Sequence, residues 1–284
     1  MKTSFLFSIL IAQYNNAKYL REAIDSVRAQ SYTNWEVILV DDASTDDSID
    51  LYKLYENDSK IKIFRNKENK GCGYTKRRCV ELAKGEICGF LDPDDALEPE
   101  ALNLMINGHL ESEKISLIYS RYTICDENLN RKHISQRTEK IPHNSDYLHS
   151  ARYIIGHFVS FKKNLYDKTE GISPQLKRAV DQDLYLKMEE VGSFLFIDKP
   201  LYLYRFHKGG ISMHDNNYKA FYWHMKVVDT ACQRRGIIYK SEDIIAEMIK
   251  NNFSRTTITV EEPSLKDVMR YIYRYIKNIF TFFN

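Results

Sequence analysis

Short continuous apolar runs recur along the first third of the chain, at residues 5–12, 35–40, 61–64 and 87–91. Runs of this length without polar alternation predict strands buried on both faces. Between them the spacing changes. Leu20, Ala23, Ile24 and Val27 recur at helical intervals, as do Ile49, Tyr52 and Tyr55, and a third helix is expected to end near Ala83. Asn15 or Asn16 is placed to cap the first of these helices, and Ser44 or Thr45 the second. The alternation β-α-β-α-β-α-β predicts a parallel sheet with helices on its faces. Met1 to Ala12 carries one Lys before a short apolar stretch and reads as a buried strand rather than a leader.

Beyond Pro99 the pattern continues less regularly. A helix through Leu102, Met105, Ile106 and Leu110 precedes a strand at 116–122. Residues 126–145 are polar and aperiodic, as expected of a hairpin or mobile segment. Further strands are expected at 156–161, 194–197 and 201–206, with a helix opening at Asp181-Gln182-Asp183. The last part reads as helical, at 218–235, at 241–252 and from Pro263 onward. In that last helix Leu265, Val268, Met269 and Ile272 share one face, and Lys266, Arg270, Arg274 and Lys277 the other. A basic amphipathic helix can lie in a membrane interface or dock on its own domain. The organisation expected is 1–112 and 113–215 as two halves of one domain, then a helical region at 216–284.

Composition narrows the function classes. A hydrophobic share of 43% with 28% charged residues supports a sizeable core. The net charge of +2 gives no global reason to expect nucleic acid. The five cysteines include no Cys-x-x-Cys pair, so neither a zinc site nor a disulfide framework is readable. A reducing, cytoplasmic setting follows, with residues 263–284 available for peripheral contact at the inner face of the cell membrane. No run reaches the roughly 18 apolar residues of a membrane span.

The chemistry concentrates where apolar runs end. The first ends in Tyr14-Asn15, the second in Asp41-Asp42, and the fourth in Asp92-Pro93-Asp94-Asp95. In parallel sheets ligands bind beyond the carboxyl ends of the strands. Three carboxylates within four residues, held close by Pro93, suit Mg2+ or Mn2+, ions that commonly carry substrate phosphates. An ordinary helix cap at Asp94 or Asp95 is the simpler alternative.

These residues resemble the family 2 inverting glycosyltransferases of GT-A fold. Ser8-Ile-Leu-Ile-Ala-Gln-Tyr-Asn15, Val40-Asp-Asp-Ala-Ser-Thr-Asp46, Asn69-Lys-Gly71 and Phe90-Leu-Asp-Pro-Asp-Asp95 are similar, in order and spacing, to that family's motifs. The resemblance implies a Rossmann-like, mostly parallel sheet with a C-terminal helical extension. It implies a nucleotide-diphosphate sugar donor, with uridine favoured, and a glycan or lipid-linked acceptor in polysaccharide biosynthesis. Tyr14 would stack on the base, and Asp42, or else Asp41, would accept from it. Lys76 and Arg77 would add positive charge at the diphosphate. Asp94 would ligate the Mn2+ or Mg2+ with Asp95 in support, Asp92 would face the ribose or a metal-bound water, and His207 would be a further metal or phosphate ligand. Asp181 would be the general base, Asp183 its reserve, and His157 would face the acceptor.

Three positions depart from the family pattern. Ala12 stands where Pro is frequent, Lys76-Arg77-Arg78 where Arg-Asn is frequent, and Val180 where Glu often precedes the base. Two other readings therefore stay open. One is a non-catalytic sugar-nucleotide-binding module. The other is a nucleotidyltransferase, which would favour a Gly-rich basic loop where this chain has Gln13-Tyr14-Asn15-Asn16.

Overall fold

In the computed structural model, residues 4–150, 154–207 and 217–237 are described. The chain divides into two units after His207. The first unit opens with β1 (Phe7–Gln13), α1 (Ala17–Arg28), β2 (Trp35–Asp41), α2 (Ser48–Tyr52), β3 (Ile61–Arg65), α3 (Cys72–Leu82) and β4 (Ile87–Phe90). A two-residue strand β5 (Ala96–Leu97) and α4 (Ala101–Glu111) follow. Then come β6 (Ile115–Cys125), β7 (Arg131–Ile134), α5 (Tyr147–Ser150), β8 (Val159–Lys162), α6 (Lys163–Tyr166), α7 (Val180–Glu189) and β9 (Ser193–Arg205). The second unit contributes one described helix, α8 (Asn217–Arg235). The expected helices at 241–252 and 263–284 lie outside the described residues. Among the described residues no helix is long and apolar enough to cross a membrane.

The strands form one mixed sheet in the order β3-β2-β1-β4-β8-β6-β9-β5, with β7 paired to β6. β1 to β4 are mutually parallel, as the alternating pattern predicts. The second half adds antiparallel pairings of β8 with β4 and β6. Every residue of β2, and every residue of β1 except Ala12, is buried, which explains why those runs show no alternation. Leu20, Ala23, Ile24 and Val27 of α1 pack into the core with Ile9, Ile11, Val37 and Leu39. Each of these side chains except Ala23, fully buried, contributes about 1.5–3 kcal/mol.

Several expectations are corrected. The strands expected at 194–197 and 201–206 are a single strand, β9, which runs through Pro200. Pro200 sits opposite Arg121, where the register of β6 against β9 shifts, so its missing N–H interrupts no regular ladder. The aperiodic stretch at 126–145 does form a hairpin arm, since β7 pairs antiparallel with β6. The caps also differ. Asn16 precedes α1 but makes no side-chain cap, and Asp46 from the next loop instead accepts from Ala17 N at 2.9 Å. The second helix is preceded by Asp47, with neither Ser44 nor Thr45 capping it.

Candidate functional site

The strand order puts β2, β1 and β4 side by side, so their carboxyl ends deliver three loops to one edge. Backbone and side-chain bonds stitch these loops together. Asp42 N donates to Gln13 O at 2.8 Å, Asn15 N to Ser44 Oγ at 2.9 Å, and Thr45 N to Asn15 Oδ1 at 2.7 Å. Asn15 and Ala43 both adopt positive φ, which folds the two loops against one another. Tyr14 projects from this seam, about half exposed.

The two adjacent aspartates divide their work. Asp41 is fully buried, accepts from Ser44 N, and pairs with Arg65 Nε at 3.1 Å. It shapes the turn. Asp42 accepts from Asn66 Nδ2 at 2.6 Å, Lys70 N at 2.9 Å and Gly71 N at 2.8 Å. These bonds anchor the loop that starts α3. That loop turns at Gly71, whose φ of 88° favours glycine.

The acidic loop is built in two layers. Asp95 is buried, and both of its oxygens are satisfied: Arg205 N donates to Oδ1 at 2.7 Å and Tyr202 Oη to Oδ2 at 2.8 Å. Burial pushes its carboxyl well above the ordinary range, with Asp94 and Asp92 adding to the effect. Arg205 continues the brace. Its Nε donates to Asp94 O at 2.6 Å and its Nη1 to Glu127 O at 2.5 Å, and its Nη2 pairs with Glu22. The guanidinium also lies 4.4 Å over the Tyr19 ring. Above this layer the Asp94 carboxylate meets His207, Oδ2 to Nε2 at 2.9 Å, and the His207 ring packs on Tyr19.

Asp92, Asp95 and His157 form a second grouping, each offering one ligand atom within 4.8 Å of the others. Enclosure in the cleft raises the Asp92 carboxyl, and Asp181 and Asp94 raise it further against the pull of Lys76. His157 stacks on Tyr204 with ring centroids 4.1 Å apart and meets Tyr122 edge-on. Burial depresses its imidazole to about 4, so near neutral pH it is a neutral nitrogen donor. Carboxylates and neutral imidazoles crowded together in this way suit a divalent cation.

α3 supplies the positive charge, but from one residue only. Lys76 is nearly enclosed, with its Nζ 2.7 Å from Asp181 Oδ1 and 3.6 Å from Asp92 Oδ1. Burial disfavours the ammonium, yet Asp181 and Asp92 outweigh it and hold Lys76 well above the usual lysine range. Arg77, one position on, is turned away. It pairs with Glu81 and donates to the carbonyls of Glu170 and Ile172, so the expected diphosphate contact from Arg77 has no support. Adjacent helical residues point about 100° apart, and only one of the two can face the cleft.

Asp181 and Asp183 also separate. α7 is preceded by Ala179 in the left-handed region, φ 57°, and no side chain caps it. Asp181 is therefore not a cap, and its carboxylate is 52% exposed. Asp183 is buried, accepting from Ser173 N at 2.8 Å and Lys187 Nζ at 2.9 Å. A carboxylate so enclosed cannot reach an acceptor, so its reserve role is withdrawn. Three contributors were not singled out as site residues from the sequence: Asn66, Tyr202 and Arg205. Arg205 had a signal, a charged residue directly after the apolar stretch Leu201-Tyr-Leu-Tyr204. Asn66 had none.

Comparison with known proteins follows the same residues. The sequence profile of Glycosyl transferase family 2 matches residues 8–169, which takes in the loops after β1 and β2 and the acidic loop but not Asp181 or His207. Escherichia coli chondroitin synthase is 34% identical over 233 residues, covering 82% of this chain and 33% of that protein. Pasteurella multocida hyaluronan synthase is 30% identical over 269 residues, covering 93% of this chain and 27% of that protein. The chain thus spans a third or less of either relative. S. aureus TarS 1-349 in complex with UDP-GlcNAc superimposes with a TM-score of 0.67 at 22% identity, covering 86% of this chain and 71% of that one. Its complex with UDP gives 0.65 at 22% identity over 88% and 72%. At that identity the likeness speaks for the fold, which is GT-A-like. By sequence profile and relatives together, the chain belongs to glycosyl transferase family 2.

Proposed function

We propose that the chain transfers a sugar, with inversion, from a uridine-diphosphate sugar to a hydroxyl of a glycan or lipid-linked saccharide. One observation carries the reading. The half-exposed carboxylate of Asp181 pairs with Lys76 at 2.7 Å, and the same lysine stands 3.6 Å from Asp92, which supports a base beside the acidic loop. The relatives are synthases of named polysaccharides, and the solved neighbour is described with UDP and UDP-GlcNAc, which supports the donor class.

On this reading Tyr14 lies against the base, and Asp42, whose Oδ1 takes Asn66 and Lys70 and whose Oδ2 takes Gly71 N alone, accepts from it through Oδ2. Asp94 and His207, with Asp92, would hold Mn2+ or Mg2+. Asp95 and Arg205 set their position from below. A cation held there acts as a Lewis acid and offsets charge on the departing diphosphate. Asp181 takes the proton of the acceptor hydroxyl as its oxygen bonds to the anomeric carbon. The bond from that carbon to the diphosphate oxygen breaks on the opposite face, and the nucleotide leaves as UDP. A peripheral membrane position through 263–284 remains part of the proposal for a lipid-linked acceptor.

The test is a screen of UDP-sugars with Mn2+, reading UDP release with and without candidate acceptor oligosaccharides. Metal-dependent release that Asp181→Asn abolishes, with UDP binding retained, supports the reading. Release that persists in full with chelator present overturns it.

A further inference from the structure

We infer that one face of α3, made by Gly73 and Lys76, is the gauge that sets the position of Asp181, and that Lys76 is a positioning residue for that carboxylate. The inference rests on the reading of Asp181 as the base, and it adds a function for α3 beyond diphosphate contact.

Two independent contacts carry it. Gly73 and Lys76 are three residues apart and so share one helix face. At Gly73 the segment leading into α7 rests directly on the helix: Gly73 N donates to Leu176 O at 3.0 Å. A Cβ at Gly73 would stand 2.6 Å from Leu176 O and 2.7 Å from Ser173 O, both backbone atoms. Only glycine lets the two backbones approach so closely. One turn later Lys76 reaches the start of α7 itself through Asp181, at 2.7 Å. The lysine has little freedom of its own. Its side chain is 8% exposed, Asp92 stands on one side, and its Nζ lies 4.9 Å from the centroid of the Phe90 ring.

The same helix starts at the loop that Asp42 anchors through Lys70 N and Gly71 N. The base is therefore registered against the nucleotide side and the acidic loop by one rigid element. Its own loop is tied down ahead of Ala179, where Asp183 accepts from Ser173 N, Lys187 donates to Gly171 O and Arg77 donates to Ile172 O, but no side chain caps the start of α7 itself. A base displaced by about 1 Å loses on the order of 100-fold in rate.

The test uses the full chain with Lys76→Met, Lys76→Arg and Gly73→Ala, under two readouts. The first is hydrogen exchange of the amides at 171–183. Lys76→Met and Gly73→Ala should each raise exchange there while leaving β1 and β2 unchanged. The second is Mn2+-dependent hydrolysis of UDP-GlcNAc, with water as acceptor, alongside direct titration with UDP. Lys76→Met and Gly73→Ala should lower kcat by about 10- to 100-fold, with UDP affinity within a few-fold of the parent. Lys76→Arg should recover part of kcat.

Unchanged exchange in both variants overturns the inference. So does a Lys76→Met protein that loses UDP affinity with kcat intact, because the lysine then serves the diphosphate alone. A parent chain that hydrolyses no UDP-GlcNAc counts against the functional reading. The exchange experiment still decides whether α3 positions the segment.

Discussion

Arg205 N donates to Asp95 Oδ1 at 2.7 Å, so the end of β9 and the acidic loop are one structural unit although 110 residues separate them. Tyr202 Oη completes the arrangement on the other oxygen, and neither contact reaches solvent. An amide at position 95 can keep its oxygen on Arg205 N only by turning its NH2 toward Tyr202 Oη, which already accepts from Asp92 N and would lose the acceptor for its own proton. Asp95→Asn should therefore lower the unfolding free energy by about 1–3 kcal/mol, read from urea denaturation. An unchanged midpoint would show that the loop does not depend on this brace.

Asp94, one residue earlier, should behave in the opposite way. Its carboxylate is partly exposed and meets His207 rather than the protein interior. Asp94→Asn should keep the parent's stability to within about 0.5 kcal/mol, whereas His207→Ala, which also removes a ring packed on Tyr19, should cost more. Each should weaken the Mn2+ dependence of UDP-sugar turnover, so that more Mn2+ is needed for half-maximal rate. The two substitutions combined should cost less than the sum of their separate effects, since both act on one pair. Strict additivity would argue that Asp94 and His207 serve different ends.

The first half of this arrangement was legible because it is local in sequence. Each of β1, β2 and β4 announces itself as an apolar run, and each presents its polar residues within a few positions of the run's end. The second half was not, because its contacts are long-range. Lys76 and Arg77 are equivalent on paper, and only the placement of α7 decides which faces the cleft. Asp181 and Asp183 look alike at the start of a helix until Lys187 buries one of them. Asp46 as the partner of Ala17 N could not be found by inspecting neighbours, because the bond spans 29 residues. β5, two residues long, is too short for any periodicity to show. Pro200 reads as a strand break unless the register shift opposite Arg121 is known.

The separation of the two aspartates in α7 can be tested directly. Asp181→Asn should abolish transfer and leave UDP affinity near the parent's; Lys76 keeps Asp92 at 3.6 Å as a counter-ion, so the unfolding midpoint should fall less than in Asp183→Asn. Asp183→Asn should instead destabilise the fold. Its partner Lys187 is 3% exposed and would be left with a buried charge lacking its counter-ion. Breaking such a pair costs about 3–5 kcal/mol. Thermal unfolding and UDP-sugar turnover, measured on both variants, should therefore give crossed results. If Asp183→Asn lost turnover with its stability intact, the assignment of roles would be reversed.

His109 gives the fold a pH dependence of its own, away from the acidic loop. It is 1% exposed on α4, with Nε2 2.9 Å from Ser160 Oγ. Burial, reinforced by nearby Lys162, depresses its imidazole from 6.5 to about 3. In the unfolded chain the ring takes a proton as pH falls through 6.5, whereas in the folded chain it stays neutral until about 3. The unfolded state therefore binds more protons throughout that window, and stability must decline as pH falls across it. One such group gives a slope of at most about 1.4 kcal/mol per pH unit. His109→Gln keeps a polar partner for Ser160 and removes the titration. Urea denaturation of the parent and of this variant at pH 7, 6, 5 and 4 should show a shallower decline in the variant, the curves converging toward low pH. Parallel curves would mean that the ring is protonated in the folded protein and that the site admits a charge.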